Sequence, residues 1–182
     1  MERKTKPPDK NDRVAPDFCA KTPLMEQRRW IERCIWNLLN AVGKPSPTIL
    51  EANCTDGWNT EVFLQRGARV EAVCSSKEHL DFARRRAPDA KFHLTSVDFE
   101  PETFDAIWCM NVVDSLKASA ASNICADFAR ILKSKGFLAF NCKSETEENL
   151  PALQEKFDII SRENYPQEFF PEKIIQITAR KR

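Results

Sequence analysis

Three observations predict an α/β fold with a mostly parallel sheet. The stretch Thr48 to Cys74 reads as strand, loop, helix, strand, and two parallel strands need a crossover helix between them. Phe104 to Met110 is apolar on both faces apart from Asp105 at its start, as buried parallel strands are. Finally, Phe157 to Ser161 and Lys173 to Ala179 are apolar runs with no long crossover between them, so they should pair antiparallel.

The elements follow in order. Residues 1–22 are polar, contain Pro7-Pro8 and Pro16 and show no apolar period, which predicts a disordered N-terminal arm. From Pro23 to Val42, Leu24, Trp30, Ile31, Cys34, Ile35, Leu38, Leu39 and Val42 recur at helical spacing, and Gly43 is a stop. Ile49 and Leu50 open the first strand, which ends in Glu51, and a turn-rich loop runs from Asn53 to Gly57. A helix is expected from Asn59 to Arg66 with Gly67 ending it, then a strand ending at Cys74. Ser75 or Ser76 caps a helix from Lys77 to Arg86, with Glu78 in its first turn. A short strand at Lys91 to Thr95 and a loop from Phe99 to Thr103 lead into Phe104 to Met110. Ala118 to Lys133 is a helix closed by Gly136, Phe137 to Asn141 a strand, and Glu145 to Glu155 a weaker helix. The parallel strands are placed at 49–53, 70–74, 92–95, 104–110 and 137–142, with 173–179 antiparallel to its neighbour. One domain, residues 23–182, holds all of this.

Composition excludes several classes. A formal net charge of +1 gives no global bias toward nucleic acid or membrane, and an apolar fraction of 42% argues for a folded globule. The seven cysteines include no CxxC pair, which disfavours a zinc site or a disulfide framework and points to a reducing, cytoplasmic setting. No apolar run reaches the roughly 18 residues that a bilayer demands. His79 and His93 form no constellation with a Ser or Cys nucleophile, so hydrolase chemistry is disfavoured. Arg84 to Arg86 and Arg180 to Arg182 are basic clusters without interleaved aromatics, which disfavours nucleic acid as a partner without excluding it.

The phrases ILEANCTDG, RGARVEAVCSSKEHLDFAR, FDAIWCMNVVDSL and ARILKSKGFLAF resemble the class I S-adenosylmethionine-dependent methyltransferases. The resemblance covers nearly all of the chain from Pro23 onward. It implies a three-layer, Rossmann-like sandwich around a seven-stranded, mostly parallel sheet, with the last strand antiparallel beside the fifth. It also implies S-adenosyl-L-methionine as cofactor, with Glu51, Asn53, Thr55, Gly57, Cys74, Ser75, Ser96, Val97 and Asn111 at the cofactor positions. Several depart from the family pattern. The first two glycine positions hold Asn53 and Thr55, and only Gly57 is kept. The ribose-binding acid is replaced by Cys74, and the acid on the adenine side by Ser96. The family motif of Asn-Pro-Pro-aromatic is absent after the fourth strand, which disfavours methylation of base or glutamine amino groups.

Physical chemistry ranks these changes. Asn tolerates the left-handed region, whereas β-branched Thr55 does not, so Thr55 is the worse replacement if the loop needs positive φ. A thiol accepts hydrogen bonds weakly, and losing a carboxylate partner of two hydroxyls weakens binding roughly ten- to a hundredfold. Glu51 either meets the cofactor or caps the loop; Cys74 packs rather than attacks. Asp114 is either a helix N-cap or the one candidate catalytic base. Two functions follow: a methyltransferase-fold protein with a degenerate site, serving as a binding or assembly subunit with a protein partner, or an active methyltransferase on a small molecule or protein side chain.

Overall fold

Local sequence signals set most helix ends in the computed structural model, which describes residues 24–95, 97–112, 118–143, 153–168, 170 and 173–182. The N-terminal arm 1–22, Ser96, Asp114 and most of the helix expected at Glu145 to Glu155 lie outside the described residues. The elements are α1 (Leu24–Val42), β1 (Thr48–Cys54), α2 (Trp58–Gln65), β2 (Arg69–Cys74), α3 (Lys77–Arg86) and β3 (Lys91–Leu94). They continue with β4 (Phe104–Cys109), α4 (Ala118–Ile131), β5 (Leu132–Lys143), β6 (Phe157–Asn164) and β7 (Ile174–Lys181). Gly43 and Gly67 end α1 and α2 at φ 65 and 82, a region that suits a residue without Cβ. Ser76 caps α3, its hydroxyl accepting the His79 N–H at 3.1 Å.

The strands form one sheet in the order β3-β2-β1-β4-β5-β7-β6. β1 to β5 run parallel, and β7 is antiparallel to both β5 and β6. On one face, Trp30, Ile35 and Leu38 of α1 and Phe63 of α2 pack on Ile49, Val70, Ala106 and Trp108. Leu80 and Ala83 of α3 continue that layer over Ala72 and Cys74. On the other face, Phe128 and Ile131 of α4 pack with Leu50, Ile107, Leu138 and Phe140. Strand alternation is what sends neighbouring residues such as Ile49 and Leu50 into opposite layers. The order reverses direction at β1 and β4, and ligands of open α/β sheets lie beyond the carboxyl ends of the strands at that switch point.

The last two strands run longer than expected, β6 to Asn164 and β7 to Lys181, and two further boundaries differ. Helix α4 ends at Ile131, and Leu132 already pairs with Phe104. The next pair is Ala106 with Phe137, so Lys133 to Gly136 bulge out of β5. Gly136 therefore does not close the helix; it lets the bulge sit close, since a Cβ there would lie 2.9 Å from the Lys133 carbonyl oxygen. The loop expected from Asn53 begins later, because Asn53 and Cys54 belong to β1.

Asp105, the polar residue of β4, is 5% exposed. Its carboxylate accepts the Thr48 N–H at 2.9 Å and pairs with Lys44 at 2.5 Å and Lys133 at 3.1 Å. Burial alone would raise its pKa, but these donors hold it below the ordinary carboxylate value. A lowered pKa contributes stability above the unfolded value of about 3.9, and that stability is lost as pH falls through the folded value. Asp105→Asn is expected to cost roughly 1–2 kcal/mol at pH 7, the charged-hydrogen-bond figure reduced because both lysines are solvent-exposed. It should also flatten the fall of stability in acid. Thermal melts between about pH 2 and 7 check this, and parallel profiles for both proteins would refute it.

Candidate functional site

The carboxyl ends of β1, β2 and β4 bring most of the sequence-expected positions together, and side chains of the protein itself engage several of them. Glu51 is 2% exposed and turned toward α2. Its Oε1 accepts the Asn59 Nδ2–H at 3.2 Å, and its Oε2 accepts the Thr60 hydroxyl. Burial raises the Glu51 pKa more than these donors lower it. For a carboxyl, a raised folded pKa means stability is full below the unfolded value and falls as pH rises toward the folded one. Glu51→Gln is therefore expected to raise Tm at neutral pH and to remove that decline. Scanning calorimetry across pH 4 to 8 tests it, and a lower Tm at pH 7 would contradict the reading.

Asn53 donates from Nδ2 to the Met110 carbonyl oxygen at 3.0 Å, a bridge across the crevice between β1 and β4. Neither Asn53 nor Thr55 adopts positive φ; within the loop only Gly57 does, at 76. The expectation that Thr55 strains the loop is thus corrected. The Cys54–Cys74 register partners carry the chain through an irregularity of β1, and the left-handed step falls after it. At Gly57 a Cβ would lie 2.7 Å from Ala83 Cα, so glycine is needed for α3 to approach as much as for φ. Asp56 fastens the loop: Oδ1 accepts the Trp58 N–H at 3.0 Å, and Oδ2 pairs with Arg86 at 2.6 Å.

Cys74 is fully buried opposite Cys54, its register partner across β1 and β2, and the Cys54 sulfur lies 3.6 Å from the Thr60 hydroxyl. The neighbouring Cys74 thiol, burial and Glu51 all push the Cys54 thiol up, while the Cys54 thiol beside it holds Cys74 down. Ser75 is exposed, its hydroxyl 3.5 Å from His79 Nδ1. Val97 lines an apolar cavity of about 180 Å3 with Ala52, Val73, Phe99 and Val112. Asn111 sits at φ 59, where Asn is tolerated. Its N–H donates to Asn141 Oδ1 at 2.6 Å, and its Oδ1 accepts the Asn141 Nδ2–H at 2.8 Å.

A smaller cavity of about 90 Å3 lies beyond β4, lined by Asn59, Met110, Asn111, Asn141, Tyr165 and Phe170. The Tyr165 hydroxyl donates to Gln176 Oε1 at 3.2 Å, and burial raises its pKa, so it stays protonated. Asn59 Oδ1 and Gln176 Nε2 are buried without a partner. The sequence reading missed Asn59, Asn141, Tyr165 and Gln176. Asn141 and Gln176 were legible as polar interruptions of the apolar runs FLAFN and IIQIT. His93 serves the sheet elsewhere: burial would raise the Glu71 carboxyl, but His93 Nε2 at 2.8 Å and Lys91 at 3.1 Å hold it down. No group of three or more His, Cys, Asp or Glu side chains among the described residues could hold a metal.

A family pattern described as "Methyltransferase domain" matches residues 50–140, from β1 into β5. The chain belongs to the methyltransferase domain family. The malonyl-[acyl-carrier protein] O-methyltransferase of Salmonella typhimurium is 24% identical to this methyltransferase-family chain over 148 residues. That match takes in 76% of this chain and 55% of the relative, so the chain spans about half the length of the curated relative it matches. Among solved structures, the PH0226 protein of Pyrococcus horikoshii OT3 superposes with a TM-score of 0.75 at 15% identity, covering 96% of this chain and 99% of that one. The N-methyltransferase NodS of Bradyrhizobium japonicum WM9, in complex with S-adenosyl-l-homocysteine, gives a TM-score of 0.67 at 16% identity, covering 88% and 89%. At these identities the structural neighbours establish the S-adenosylmethionine-dependent methyltransferase fold. Among the described residues, no helix is long and apolar enough to cross a membrane.

Proposed function

We propose that this methyltransferase-family protein grips S-adenosyl-L-methionine weakly or not at all and acts as a binding or assembly subunit for a protein partner. The observation that carries this is the Asn53 bridge to the Met110 carbonyl oxygen. It occupies the crevice between β1 and β4, where a ligand of this fold would lie. The neighbouring positions support it. Glu51 spends both carboxyl oxygens on α2, and Cys74 offers a fully buried thiol where the family pattern has an acid. The residues present do not fit a tightly held cofactor: Glu51 and Asn53 must each first give up an internal partner to meet it. The fold leaves function open, because function resides in the site.

Calorimetric titration of the wild-type protein with S-adenosyl-L-methionine and S-adenosyl-L-homocysteine tests the proposal. No resolvable heat, or a dissociation constant near the millimolar range, is the expected result. Low-micromolar binding of either compound would sink it.

One observation favours a second reading, an active methyltransferase on a small molecule or protein side chain. Asn59 Oδ1 is buried, unpaired and beside the 90 Å3 cavity, and could accept a donor from the cofactor's amino-acid end. The Salmonella relative acts, by its name, on a malonyl group carried by a protein. Tritium transfer from labelled S-adenosyl-L-methionine to an acceptor would favour this reading over the first.

A further inference from the structure

At the opposite end of the sheet from the β1–β4 crevice, a third cavity, of about 300 Å3, opens beside the amino end of β4. Lys44, Lys133, Lys135 and Arg180 surround it, against the single carboxylate of Asp105. These cations come from three separate places. Lys44 follows α1, Lys133 and Lys135 lie in the bulge of β5, and Arg180 is in β7, paired in register with Phe137.

Asp105 does not neutralise them all. It is fully engaged with the Thr48 N–H, Lys44 and Lys133. Among the described residues, Lys135 and Arg180 have no carboxylate partner. Four positive charges facing one negative charge leave a local excess of three in a protein whose formal net charge is +1. The bulge that carries two of the lysines is also constrained. Lys135 sits at φ 60, a conformation that costs a β-carbon-bearing residue energy. Gly136 lets the loop close onto the Lys133 and Asp105 carbonyl oxygens, with no room for a Cβ. The bulge thus holds Lys135 at the cavity by backbone constraint, while Lys133 is held there by its pair with Asp105 as well.

We propose that this cavity is a binding site for a small phosphate-bearing ligand, distinct from the cofactor crevice. A phosphate group supplies several acceptor oxygens for Lys135 and for the planar fork of Arg180, the donors left unspent by Asp105. The volume suits a small molecule rather than an extended chain. Lys44 and Lys133, 54% and 37% exposed, keep donor capacity toward the cavity beyond the bond each makes to Asp105. The site rests on no assumption about methyl transfer, and it would operate whether or not the cofactor binds.

Isothermal titration with inorganic pyrophosphate as probe, repeated at low and high sodium chloride, tests the assignment. The wild-type protein is expected to bind one equivalent saturably, and more weakly as salt rises. The pair Lys135→Ala and Arg180→Ala together should weaken binding by at least about tenfold. Both residues are exposed, so the variant should keep the wild-type circular dichroism. Lys77→Ala, an exposed base on α3 far from the cavity, should leave affinity unchanged. Absence of pyrophosphate binding by the wild type would overturn the proposal, as would equal affinity in the double variant. Tighter binding of a single-stranded oligonucleotide than of pyrophosphate would overturn the small-ligand assignment.

Discussion

The triple substitution Asn53→Gly, Thr55→Gly and Cys74→Asp is expected to give this protein an affinity for S-adenosyl-L-homocysteine at least ten- to a hundredfold above wild type. Each change has a separate reason. Asn53→Gly removes the amide that donates to the Met110 carbonyl oxygen and reopens the crevice between β1 and β4. Cys74→Asp restores a carboxylate where the wild type has a thiol facing Cys54, and charged hydrogen bonds contribute about 1.5–3 kcal/mol. Thr55→Gly trims an exposed β-branched side chain at the loop entrance, and it contributes least, because Thr55 is not held at positive φ. The sites are neighbours, so their effects will not add simply. Titration of the triple variant and of each single variant measures this. The variant gaining nothing over wild type, while folded by circular dichroism, would mean that the Asn53 bridge is not what keeps the cofactor out.

Trp108→Ala should be the most damaging single substitution in the sheet, at about 3–5 kcal/mol. Trp108 is 1% exposed near the carboxyl end of β4, and its ring meets Phe63 of α2 edge-on at 5.7 Å between centroids. Removing it opens a cavity under the helix whose Thr60 and Asn59 hold Glu51. A loss of that size is a large part of the roughly 5–15 kcal/mol that keeps a domain folded. Trp108→Phe is expected to cost much less. The indole N–H is buried with no partner, so the smaller ring gives up packing but also removes an unpaired donor. Urea denaturation of both variants decides this. Equal losses for Ala and Phe would show that a single ring restores none of the packing the indole supplies.

Much of the architecture was legible in the sequence because it rests on short-range signals. The apolar spacing of α1, the Ser76 cap of α3 and the glycine stops at Gly43 and Gly67 each involve residues within one or two turns. The last hairpin was legible for the same reason: no crossover fits between β6 and β7. The β5 boundary was not. Local pattern continued the helix to Lys133, but pairing of Leu132 with Phe104 ended it at Ile131 and threw Lys133 to Gly136 into a bulge. The basic cavity could not be foreseen, since its cations lie far apart in the chain and meet only when β7 inserts beside β5.

The same division runs through the cofactor crevice. Sequence by itself determined which family positions had lost their glycine or acid: Asn53, Thr55, Cys74 and Ser96 can be read directly. It did not determine what the replacements do. Thr55 looked the costliest, yet the folded loop places left-handed φ only at Gly57. Asn53 looked tolerable, yet its amide reaches a carbonyl oxygen that is 57 positions away in the chain. A propensity argument concerns the backbone preferences of one residue, and those are local. Where a polar side chain spends its hydrogen bonds depends on which strands the fold sets side by side, and only the tertiary structure decides that.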